Sequence, residues 1–444
     1  MSPDPALTPV RPFWYTVAMS RSDLQAPRGT RDFYPEDMRL RSWLFAHFRE
    51  VARRFGFEEV DAPIVEHAEL FTRKAGEEIV EQLYHFTMHD RHLALRPEMT
   101  PSIARMVMGR AGALRLPLRW FTVTQNWRYE RMTRGRKREH YQWNMDVWGA
   151  PGVGAEAELL AAIFALLDAV GLERGRVRVQ LNSRALLEET LRAGVLAARP
   201  DAFAPLCVIV DKLAKIGADA VTEQLVDPAG AVRLAPAEAR DVVALLGMKT
   251  LDEAATAAPR GSAAIADLRR LFELLAAYGV ADLVDFDASV VRGLAYYTGV
   301  VFEAFDAGRT LRAVCGGGRY DRLLETLGGP SIPAVGFGFG DVVIAELLAD
   351  DGRLPAPPRG LDDVVCALGE AQRAAAIRLA QRLRGAGRAV ELVLGDTRPK
   401  RVLADADKAG AARVWLLGPD EVARGVVKVR ELESGAERDE PLES

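Results

Sequence analysis

A proline-rich stretch near position 355 divides this chain into two parts with different hydrophobic patterns. Residues 352–361 read G-R-L-P-A-P-P-R-G-L, with three prolines and two glycines. Proline lacks a backbone N–H and glycine favours turns, so such a stretch continues neither a helix nor a central strand. It predicts a linker over 351–361 between a larger domain at 25–350 and a smaller one at 362–444. A chain of 444 residues is long enough for two or three domains.

After the linker, short apolar segments alternate with helical patterns. The strand-like segments are 363–368, 390–394, 414–417 and 426–429, and the helical ones are 371–384 and 399–409. This alternation predicts a small, mostly parallel α/β domain.

Before the linker, the pattern favours hairpins and therefore an antiparallel sheet. Residues 35–55 have helical spacing, 83–95 alternate around Asp90-Arg91 as in a hairpin, and 120–123 and 140–148 resemble strands that flank a basic loop. From about 184 to 282 the sequence is rich in Ala, Leu and Arg, which predicts a helical insertion. Strand patterns resume at 283–291, 299–305 and 312–315. The whole chain is therefore expected to be α+β.

Composition excludes several classes of protein. Apolar residues make up 49% and charged residues 27% of the chain, and no apolar run approaches the ~20 residues that span a bilayer. Three scattered cysteines indicate a reducing compartment, the cytoplasm, rather than a disulfide framework. Residues 1–24 match no organised pattern and are expected to be a disordered leader. We expect no metal site, because His85, His89 and His92 lack a recognisable ligand spacing.

The net charge of −4 means that any affinity for nucleic acid must come from local patches. Residues 128–140, R-Y-E-R-M-T-R-G-R-K-R-E-H, form one such patch, with six Arg or Lys against two Glu.

Arg96-Pro97-Glu98-Met99-Thr100 follows the predicted hairpin. Pro97 restricts the backbone, so Glu98 and Thr100 would project from a rigid corner, where a carboxylate and a hydroxyl could hold an ammonium group. Taken alone, the stretch is more simply interpreted as a surface turn in which Thr100 caps a helix.

Gln142 and Asp146 are four residues apart in the second predicted strand, so both face the same side. Two polar groups on one face of an otherwise apolar strand need partners, which a bound polar substrate would supply. Arg128, just before the basic loop, could direct its planar guanidinium at a phosphate. The alternative is a solvated face beside a mobile basic loop.

Three further stretches carry glycine or aromatic residues in unusual density. They are R-G-L-A-Y-Y-T-G at 292–299, C-G-G-G-R-Y-D at 315–321, and the alternating glycines Gly336, Gly338 and Gly340. Glycine has no Cβ, so these backbones can approach a ligand closely, and the alternating run could be a flat floor for a planar base. Tight packing of sheet against helix is the alternative for the glycines.

Taken in order, these stretches resemble the histidyl-tRNA synthetase family from Gln25 to the C-terminus. R-G-T-R-D-F-Y-P looks like the family's opening signature, F-G-F-E-E-V-D-A-P-I-V-E like class II motif 1, and W-R-Y-E with its basic loop like motif 2. R-G-L-A-Y-Y-T-G and G-G-G-R-Y-D resemble the two histidine signatures, and A-V-G-F-G-F-G resembles the start of motif 3.

The resemblance implies a homodimeric class II catalytic domain with a helical insertion, followed by a C-terminal anticodon-binding domain. It implies that ATP, with Mg²⁺, activates L-histidine as an adenylate, which is then transferred to the terminal adenosine 3′-hydroxyl of tRNA(His). The alternative is a catalytically silent, histidine-binding regulatory paralogue of histidine biosynthesis. That paralogue generally lacks the anticodon domain and the histidine signatures, and this chain keeps both.

The resemblance also assigns residue roles around the amino acid. Glu98, Gln142 and Asp146 would receive the α-amino group and neighbouring polar atoms, with Thr100 in support. Tyr297 and Tyr320 would line the imidazole pocket.

Around the nucleotide, Arg128 would hold the α-phosphate, Glu130 the adenine end, and His140 would stack on the base. Arg292 would lie at the α-phosphate and the substrate carboxylate. The remaining expected ATP-binding residues are Arg136, Arg138, Gly338 and Gly340.

Three positions depart from the family's usual pattern. Ala295 stands where an acid is usual, and His140 where Phe is common. Motif 3 usually continues into Glu-Arg, but here it reads Asp341-Val342-Val343 without the Arg that clamps the ATP phosphates. These changes resemble a sub-branch typified by plant organellar members. Arg136 and Arg138 are candidates for the missing clamp.

Overall fold

The computed structural model describes residues 24–72, 81–294, 296–357, 359–395 and 398–442. The expected leader, apart from Leu24, and the variant position Ala295 lie outside these residues. The chain divides into two compact units, one of Met1–Asp32 with His47–Arg353 and one of Phe33–Ala46 with Leu354–Ser444, each over its described part.

The strands of the first unit follow the hydrophobic alternation of the sequence. They are β1 (Glu58–Glu59), β2 (Val65–His67), β3 (His85–Met88), β4 (Arg91–Leu95), β5 (Leu118–Trp127), β6 (Glu139–Trp148), β7 (Val177–Ser183), β8 (Val284–Phe286), β9 (Val300–Asp306), β10 (Cys315–Arg319) and β11 (Ala334–Gly340).

The α-helices begin with α1 (Pro35–Arg54), which contributes residues to both units. Those of the first unit are α2 (Glu69–Thr72), α3 (Thr100–Arg110), α4 (Gly154–Ala169), α5 (Arg184–Ala193), α6 (Phe203–Val210), α7 (Leu213–Val226), α8 (Pro236–Leu246), α9 (Leu251–Ala257), α10 (Ala263–Ala277), α11 (Leu323–Thr326) and α12 (Asp341–Asp350).

Eight strands form one sheet in the order β1-β5-β6-β11-β10-β9-β7-β8. All neighbouring pairs are antiparallel except β1/β5 and β7/β8. The parallel β7/β8 pair has a physical reason: a long connection, helices α5–α10, separates the two strands, and parallel neighbours require such a crossover. A second sheet, β2-β4-β3, contains the hairpin that turns at His89-Asp90. The α+β prediction is confirmed.

The strand expected at 312–315 was wrong, because the glycine-rich run itself forms β10 at Cys315–Arg319. Glycine is a poor strand former, but here β9 and β11 supply hydrogen-bonding partners on both sides. The strand predicted over 283–291 is also shorter in the structure, where it is β8 and ends at Phe286.

The two faces of the large sheet differ in chemistry because side chains alternate along a strand. From Trp143 onward in β6, and throughout β11, the odd-numbered residues are apolar and buried. Trp143 lies parallel to Phe48 of α1 with ring centroids 5.4 Å apart, and Phe337 packs edge-on against it. The even-numbered residues face the other side and include Gln142, Asn144 and Asp146. The helices α5–α8 bury a separate apolar cluster of their own.

The second unit contains β12 (Asp363–Ala367), α13 (Arg373–Gly385), β13 (Val390–Leu392), α14 (Pro399–Lys408), β14 (Arg413–Leu417), α15 (Pro419–Ala423), β15 (Val426–Glu431) and β16 (Glu437–Pro441). The strand order is β13-β12-β14-β15-β16. Only the pairs of β12 with β13 and β14 are parallel, so the expectation of a mostly parallel sheet was wrong. β16, E-R-D-E-P, gave no apolar signal because it is a polar, largely exposed edge strand.

Among the described residues, no helix has both the length and the apolar character needed to cross a membrane.

Candidate functional site

A glycine-lined face of the large sheet forms the floor of the candidate site. Gly336, Gly338 and Gly340 of β11 lie directly opposite Asp146, Asn144 and Gln142 of β6, respectively. A Cβ atom on Gly338 would lie 3.2 Å from the Asn144 amide nitrogen. A Cβ on Gly336 would overlap Asp146 Oδ1, so glycine is needed at that position to leave this side chain room above the sheet.

This face carries buried polar atoms that have no hydrogen-bond partner among the described residues. They are Oγ1 of Thr122 and Thr124, Oδ1 of Asn126 and Asn144, and Oδ2 of Asp146. The β5/β6 register pairs Thr122 with Asn144, and Asn126 with His140, so these atoms share one side of the sheet. A buried, unsatisfied polar group costs about 1–3 kcal/mol. Five of them together indicate a surface built to receive a polar molecule.

Asp146 lies at the deep end of this face. It is 1% exposed, and burial raises its pKa to about 7, although a hydrogen bond donated by the Tyr320 hydroxyl opposes the shift. Further along β6, the Gln142 carbonyl accepts from Asn126 Nδ2 at 2.9 Å. In Asp146 itself, Oδ1 is paired with the Tyr320 hydroxyl, while Oδ2 remains available to a cationic ligand.

Glu98 approaches from the loop after β4 rather than from the sheet. Its Oε2 accepts a hydrogen bond from the Tyr296 hydroxyl at 3.0 Å. Burial raises the pKa of Glu98, and the neighbouring Arg128, Tyr296 and Arg292 partly offset that effect. The carboxyl is therefore held in a low-dielectric position where a second cation would stabilise its charged form.

The interpretation of residues 96–100 as a surface turn was wrong. Arg96, Glu98 and Thr100 are only 2%, 8% and 8% exposed. The Arg96 guanidinium bonds Asp61 at 2.9 Å and the Ala62 carbonyl at 2.6 Å, which fixes the corner inside the protein. Thr100 is the first helical residue of α3 and not its N-cap, which is Met99.

Arg128 directly follows β5 and His140 is the second residue of β6, so both lie where the basic loop joins the sheet. Arg128 Nε donates to the Pro97 carbonyl at 2.9 Å, so the arginine is tied to the loop that carries Glu98. Burial lowers the pKa of His140 to about 3, and Arg128 and other nearby arginines act in the same direction. The imidazole is therefore neutral at physiological pH, which suits a flat ring for stacking.

The basic loop folds back on its own residues and on α12. Arg136 forms an ion pair with Glu130, and Arg138 lies over the Tyr129 ring with its guanidinium carbon 3.7 Å from the centroid. Arg134 bonds Glu346 and Asp350 of α12, at 3.0 and 2.5 Å.

The start of α12, where the usual motif 3 arginine is missing, packs against this loop. A Cβ on Gly135 would lie 3.4 Å from Val343 Cγ2, so the backbone of the loop approaches Val343 closely. Arg31, which the sequence pattern did not single out, bridges Glu139 at 2.7 Å and Asp341 at 3.0 Å. Its only sequence signal was its place in the opening signature.

Arg292 has a left-handed backbone, with φ of 63°. Its guanidinium covers Gly316, where a Cβ would lie 2.6 Å from Nη1, and it pairs with Glu303 of β9. Burial lowers the pKa of Arg292, but Glu303, Tyr297 and Asp211 together raise it above the usual value. A strained backbone in a non-glycine residue persists only when its surroundings hold it there, and functional sites often contain such residues.

Three tyrosines join these groups into one cluster. The ring centroids of Tyr296 and Tyr320 are 5.8 Å apart, and those of Tyr297 and Tyr320 are 6.4 Å apart. Tyr320 contacts Asp146 and Tyr296 contacts Glu98, so side chains from four distant stretches meet above the glycine floor.

The histidines considered for a metal lie elsewhere, on the β3–β4 hairpin. His85 Nδ1 and His92 Nε2 are 3.1 Å apart, and His92 lies 3.6 Å from Glu69. Over the described part of the chain, no group of three or more His, Cys, Asp or Glu is arranged to hold a metal ion.

Comparison with known proteins shows which families this chain resembles. The histidyl-tRNA synthetase family matches residues 29–340, and the anticodon-binding domain family matches residues 363–444. The chloroplastic/mitochondrial histidine–tRNA ligase of Arabidopsis thaliana is 48% identical over 414 residues, covering 93% of this chain and 84% of that protein. The histidine–tRNA ligase of Opitutus terrae is 41% identical over 426 residues, covering 94% and 96%.

Among solved structures, histidyl-tRNA synthetase from Nostoc sp. PCC 7120 superposes with a TM-score of 0.73 at 23% identity, covering 94% of this chain and 96% of that one. At that identity the likeness concerns the fold.

Proposed function

Because this chain belongs to the histidyl-tRNA synthetase family, we infer that it joins L-histidine to tRNA(His) at the expense of ATP. The observation that carries the inference is the glycine-lined face with its five buried, unpartnered polar atoms, since such a surface is costly unless a polar substrate covers it. The regulatory alternative is not favoured, because the relatives that match more than 90% of the chain at 48% and 41% identity are histidine–tRNA ligases.

We propose that the amino acid lies between β6 and the tyrosine cluster. Its ammonium group would approach Glu98, Gln142 and Asp146, with Thr100 in support. Asp146 Oδ2 has no partner among the described residues, so an ammonium hydrogen would satisfy it. Tyr297 and Tyr320, which are 7% and 2% exposed, would line the imidazole pocket.

The nucleotide is proposed to lie over the outer part of the same face. His140 would stack on adenine as a neutral ring, beside Glu130, with Gly338 and Gly340 as the floor. Arg128 would hold the α-phosphate.

Arg136 and Arg138 would move from Glu130 and Tyr129 onto the ATP phosphates, replacing the missing motif 3 arginine. Both are near the adenine end already, through the contacts of the basic loop. Glu130 is only 6% exposed, so the exchange requires a donor of the bound nucleotide, such as the adenine amino group, to take the place of Arg136 at this carboxylate.

In the first step, a histidine carboxylate oxygen attacks the α-phosphorus, forming one P–O bond while the bond to pyrophosphate breaks. No protein nucleophile is needed, so catalysis rests on positioning and on stabilising negative charge. Arg292 would lie at the α-phosphate and the substrate carboxylate, where its fixed charge needs little reorganisation. In the second step the terminal 3′-hydroxyl of the tRNA attacks the activated carbonyl, and AMP leaves.

Mg²⁺ is proposed to enter with ATP. Magnesium is usually held by substrate phosphates plus one or two carboxylates, where it neutralises phosphate charge. Glu303 fits this requirement, because it lies opposite Gly316 on the glycine-lined face and is 27% exposed.

The proposed organisation is a catalytic domain at 25–350 with a helical insertion at about 184–282, a linker at 351–361 and an anticodon-binding domain at 362–444. We propose a homodimer through the stretch that resembles motif 1, where Ile64 and Val65 are each 42% exposed. The described cysteines are buried and unpaired, which supports a reducing compartment such as the cytoplasm.

The proposal is tested by exchange of radioactive pyrophosphate into ATP. Exchange is expected with histidine and not with other amino acids, and Arg292→Ala should lower its rate on the order of 100-fold or more. Arg309→Ala is the matched control, because Arg309 also has a positive φ but is exposed. Absence of exchange with every amino acid would favour the regulatory alternative, and full activity of Arg292→Ala would remove this residue from the mechanism.

A further inference from the structure

Arg184 forms a hydrogen bond at each end of the segment that carries the paired tyrosines. It is the first residue of α5, directly after β7. Its backbone N–H donates to the Gly299 carbonyl at 2.8 Å, and its side-chain Nη1 donates to the Leu294 carbonyl, also at 2.8 Å. The segment between these two carbonyls contains Tyr296 and Tyr297.

This segment has little hydrogen bonding of its own. Its described residues belong to no helix or strand before β9 begins at Val300. Within it, the Tyr297 N–H lies a long 3.5 Å from the Leu294 carbonyl, while Thr298 donates to Arg319 of β10 at 2.7 Å. The Leu294 end therefore depends on the Arg184 side chain for its firmest contact, because the bond from Arg184 is 0.7 Å shorter than the one from Tyr297 (2.8 against 3.5 Å).

Packing on one side of the segment is also incomplete. A cavity of about 410 Å³ lies against it, lined by Arg184, Tyr296, Tyr297, Phe203 and Leu323 among others. Glu98 also lines this cavity, so it adjoins the proposed amino-acid site, and the tyrosine side chains beside it have room to move unless hydrogen bonds hold their backbone. The cavity makes the Arg184 contacts more important than they would be in a filled core.

Arg184 is itself well fixed. It is 5% exposed, and its guanidinium carbon lies 5.9 Å from the ring centroid of Phe203 on α6. A second contact from the helical insertion reaches the same segment, since a Cβ on Gly293 would lie 2.7 Å from a carboxylate oxygen of Asp211, which follows α6. The start of the insertion thus touches the segment beside Arg292 and at both of its ends.

We propose that Arg184 is a positioning residue for the histidine site, through which the first helices of the insertion set the placement of Tyr296 and Tyr297. The ligand concerned is the amino acid and not the nucleotide, because the contacts converge on the segment that faces Glu98 and Tyr320. The identity of the ligand in this inference rests on the proposed function. The mechanical link, by which Arg184 holds the tyrosine segment in place, does not. A displacement of the insertion would then alter histidine binding without any contact between the insertion and the substrate.

The kinetic test compares Arg184→Gln, Arg184→Lys and the control Arg192→Gln. Arg192 lies on the same helix and lines the same cavity, but it is 48% exposed and pairs with Glu188. In pyrophosphate exchange, Arg184→Gln should raise the KM for histidine on the order of tenfold and leave the KM for ATP within about twofold. Arg184→Lys, which keeps a donor directed at the Leu294 carbonyl, should recover part of the loss, and Arg192→Gln should resemble the wild type.

A second measurement needs no activity. Amide hydrogen exchange of the unliganded full-length protein should become faster in the peptide covering 292–299 of Arg184→Gln, with β6 and β11 unchanged. Unchanged exchange in that peptide overturns the proposal, as does an equal rise in the KM values for histidine and ATP. Faster exchange throughout the sheet in both Arg184 variants would also overturn it, by making Arg184 a residue of general stability. If the wild type exchanged no pyrophosphate with histidine, the proposed function would fail. The hydrogen-exchange result would still decide whether Arg184 holds the tyrosine segment.

Discussion

Replacing Asp146 with Asn should stabilise the unliganded protein at neutral pH while weakening histidine binding. The carboxyl is buried and has a pKa of about 7 instead of 3.8, so the folded protein resists ionising it. Asn has the same shape, can still accept the hydrogen bond from the Tyr320 hydroxyl, and carries no charge to bury. The residue best suited to receive an ammonium group is thus one that destabilises the empty site.

The size of the effect follows from the two pKa values. In the unfolded chain the carboxyl ionises above about pH 4, whereas in the folded protein it ionises only near pH 7. The free energy of unfolding of the wild type therefore falls as pH rises between these values, by about 1.4 kcal/mol per pH unit. From pH 5 to pH 8 the free energy of unfolding of the wild type falls by roughly 3 kcal/mol through this carboxyl. Asp146→Asn lacks the ionisable group and does not show this loss.

The assay is thermal unfolding of the wild type and Asp146→Asn at pH 5 and pH 8, without ligand. The difference in Tm between the two proteins should grow by several degrees at the higher pH. Asp306→Asn is the matched control. Burial raises the pKa of Asp306, but backbone N–H groups of Thr310 and Leu311 outweigh it, so the net shift is downward. The ionised form of Asp306 therefore stabilises the protein throughout pH 5–8, and the loss in Asp306→Asn should be the same at both pH values.

Asp146→Asn should also bind histidine less well than the wild type. Loss of a charged partner for the ammonium group is expected to raise the histidine KM by roughly ten- to 100-fold. A Tm difference between the wild type and Asp146→Asn that does not change with pH would refute the argument that burial holds this carboxyl neutral. Added histidine should raise the Tm of the wild type more than that of the variant, and an equal rise in both would move the ammonium away from Asp146.

Gly336→Ala should abolish histidine activation, because the new Cβ would overlap Asp146 Oδ1 and lie 2.6 Å from the Tyr320 hydroxyl; pyrophosphate exchange measures this. His140→Phe should keep the KM for ATP within about threefold of the wild type from pH 6 to 8, because the imidazole is already neutral with a pKa of about 3 and acts as a flat ring. Arg319→Gln should lower the free energy of unfolding in urea by about 3–5 kcal/mol, because it leaves the buried Glu156 carboxylate without its partner.

Neighbouring residues provide controls for these variants. Gly109→Ala places a Cβ where nothing lies within 4 Å, so it should retain activity, and a similar loss in both glycine variants would make the clash argument wrong. A tenfold or greater rise in the ATP KM of His140→Phe would assign the imidazole a hydrogen-bonding role. Arg270→Gln removes an exposed ion pair and should change stability by less than about 1 kcal/mol; a loss as large as that of Arg319→Gln would contradict the burial argument.

Periodicity alone predicted correctly which residues share a face of the sheet. Gln142 and Asp146 share a face because strand side chains alternate, and the same rule aligned the three glycines of β11. The sequence did not indicate that Gly336 would lie opposite Asp146, since the register between distant strands is not encoded in either strand alone. Nor did it indicate that Thr122 and Asn126 would add unpaired polar atoms to that face.

Context outweighed local pattern elsewhere. Residues 96–100 looked like an exposed turn, but the buried Arg96 draws this corner inward through bonds to the Asp61–Ala62 segment. Arg31 looked like one arginine of a signature, and only folding brings it between Glu139 and Asp341. β16 escaped detection because a polar edge strand buries too little apolar surface to leave a periodic signal.

The sequence by itself determined which chemical groups this protein has and the order in which they occur: carboxylates, arginines, paired tyrosines and two runs of glycine. Local spacing also determined the helices, the hairpins and the side of each strand on which a residue lies, because these depend on neighbours in the chain. Only the tertiary structure decided which carboxylates are buried, that Asp146 resists ionisation, and that Arg184 holds both ends of the tyrosine segment. Burial and hydrogen bonding between residues more than 100 positions apart depend on how strands pair and helices pack, and no short stretch of sequence contains that information.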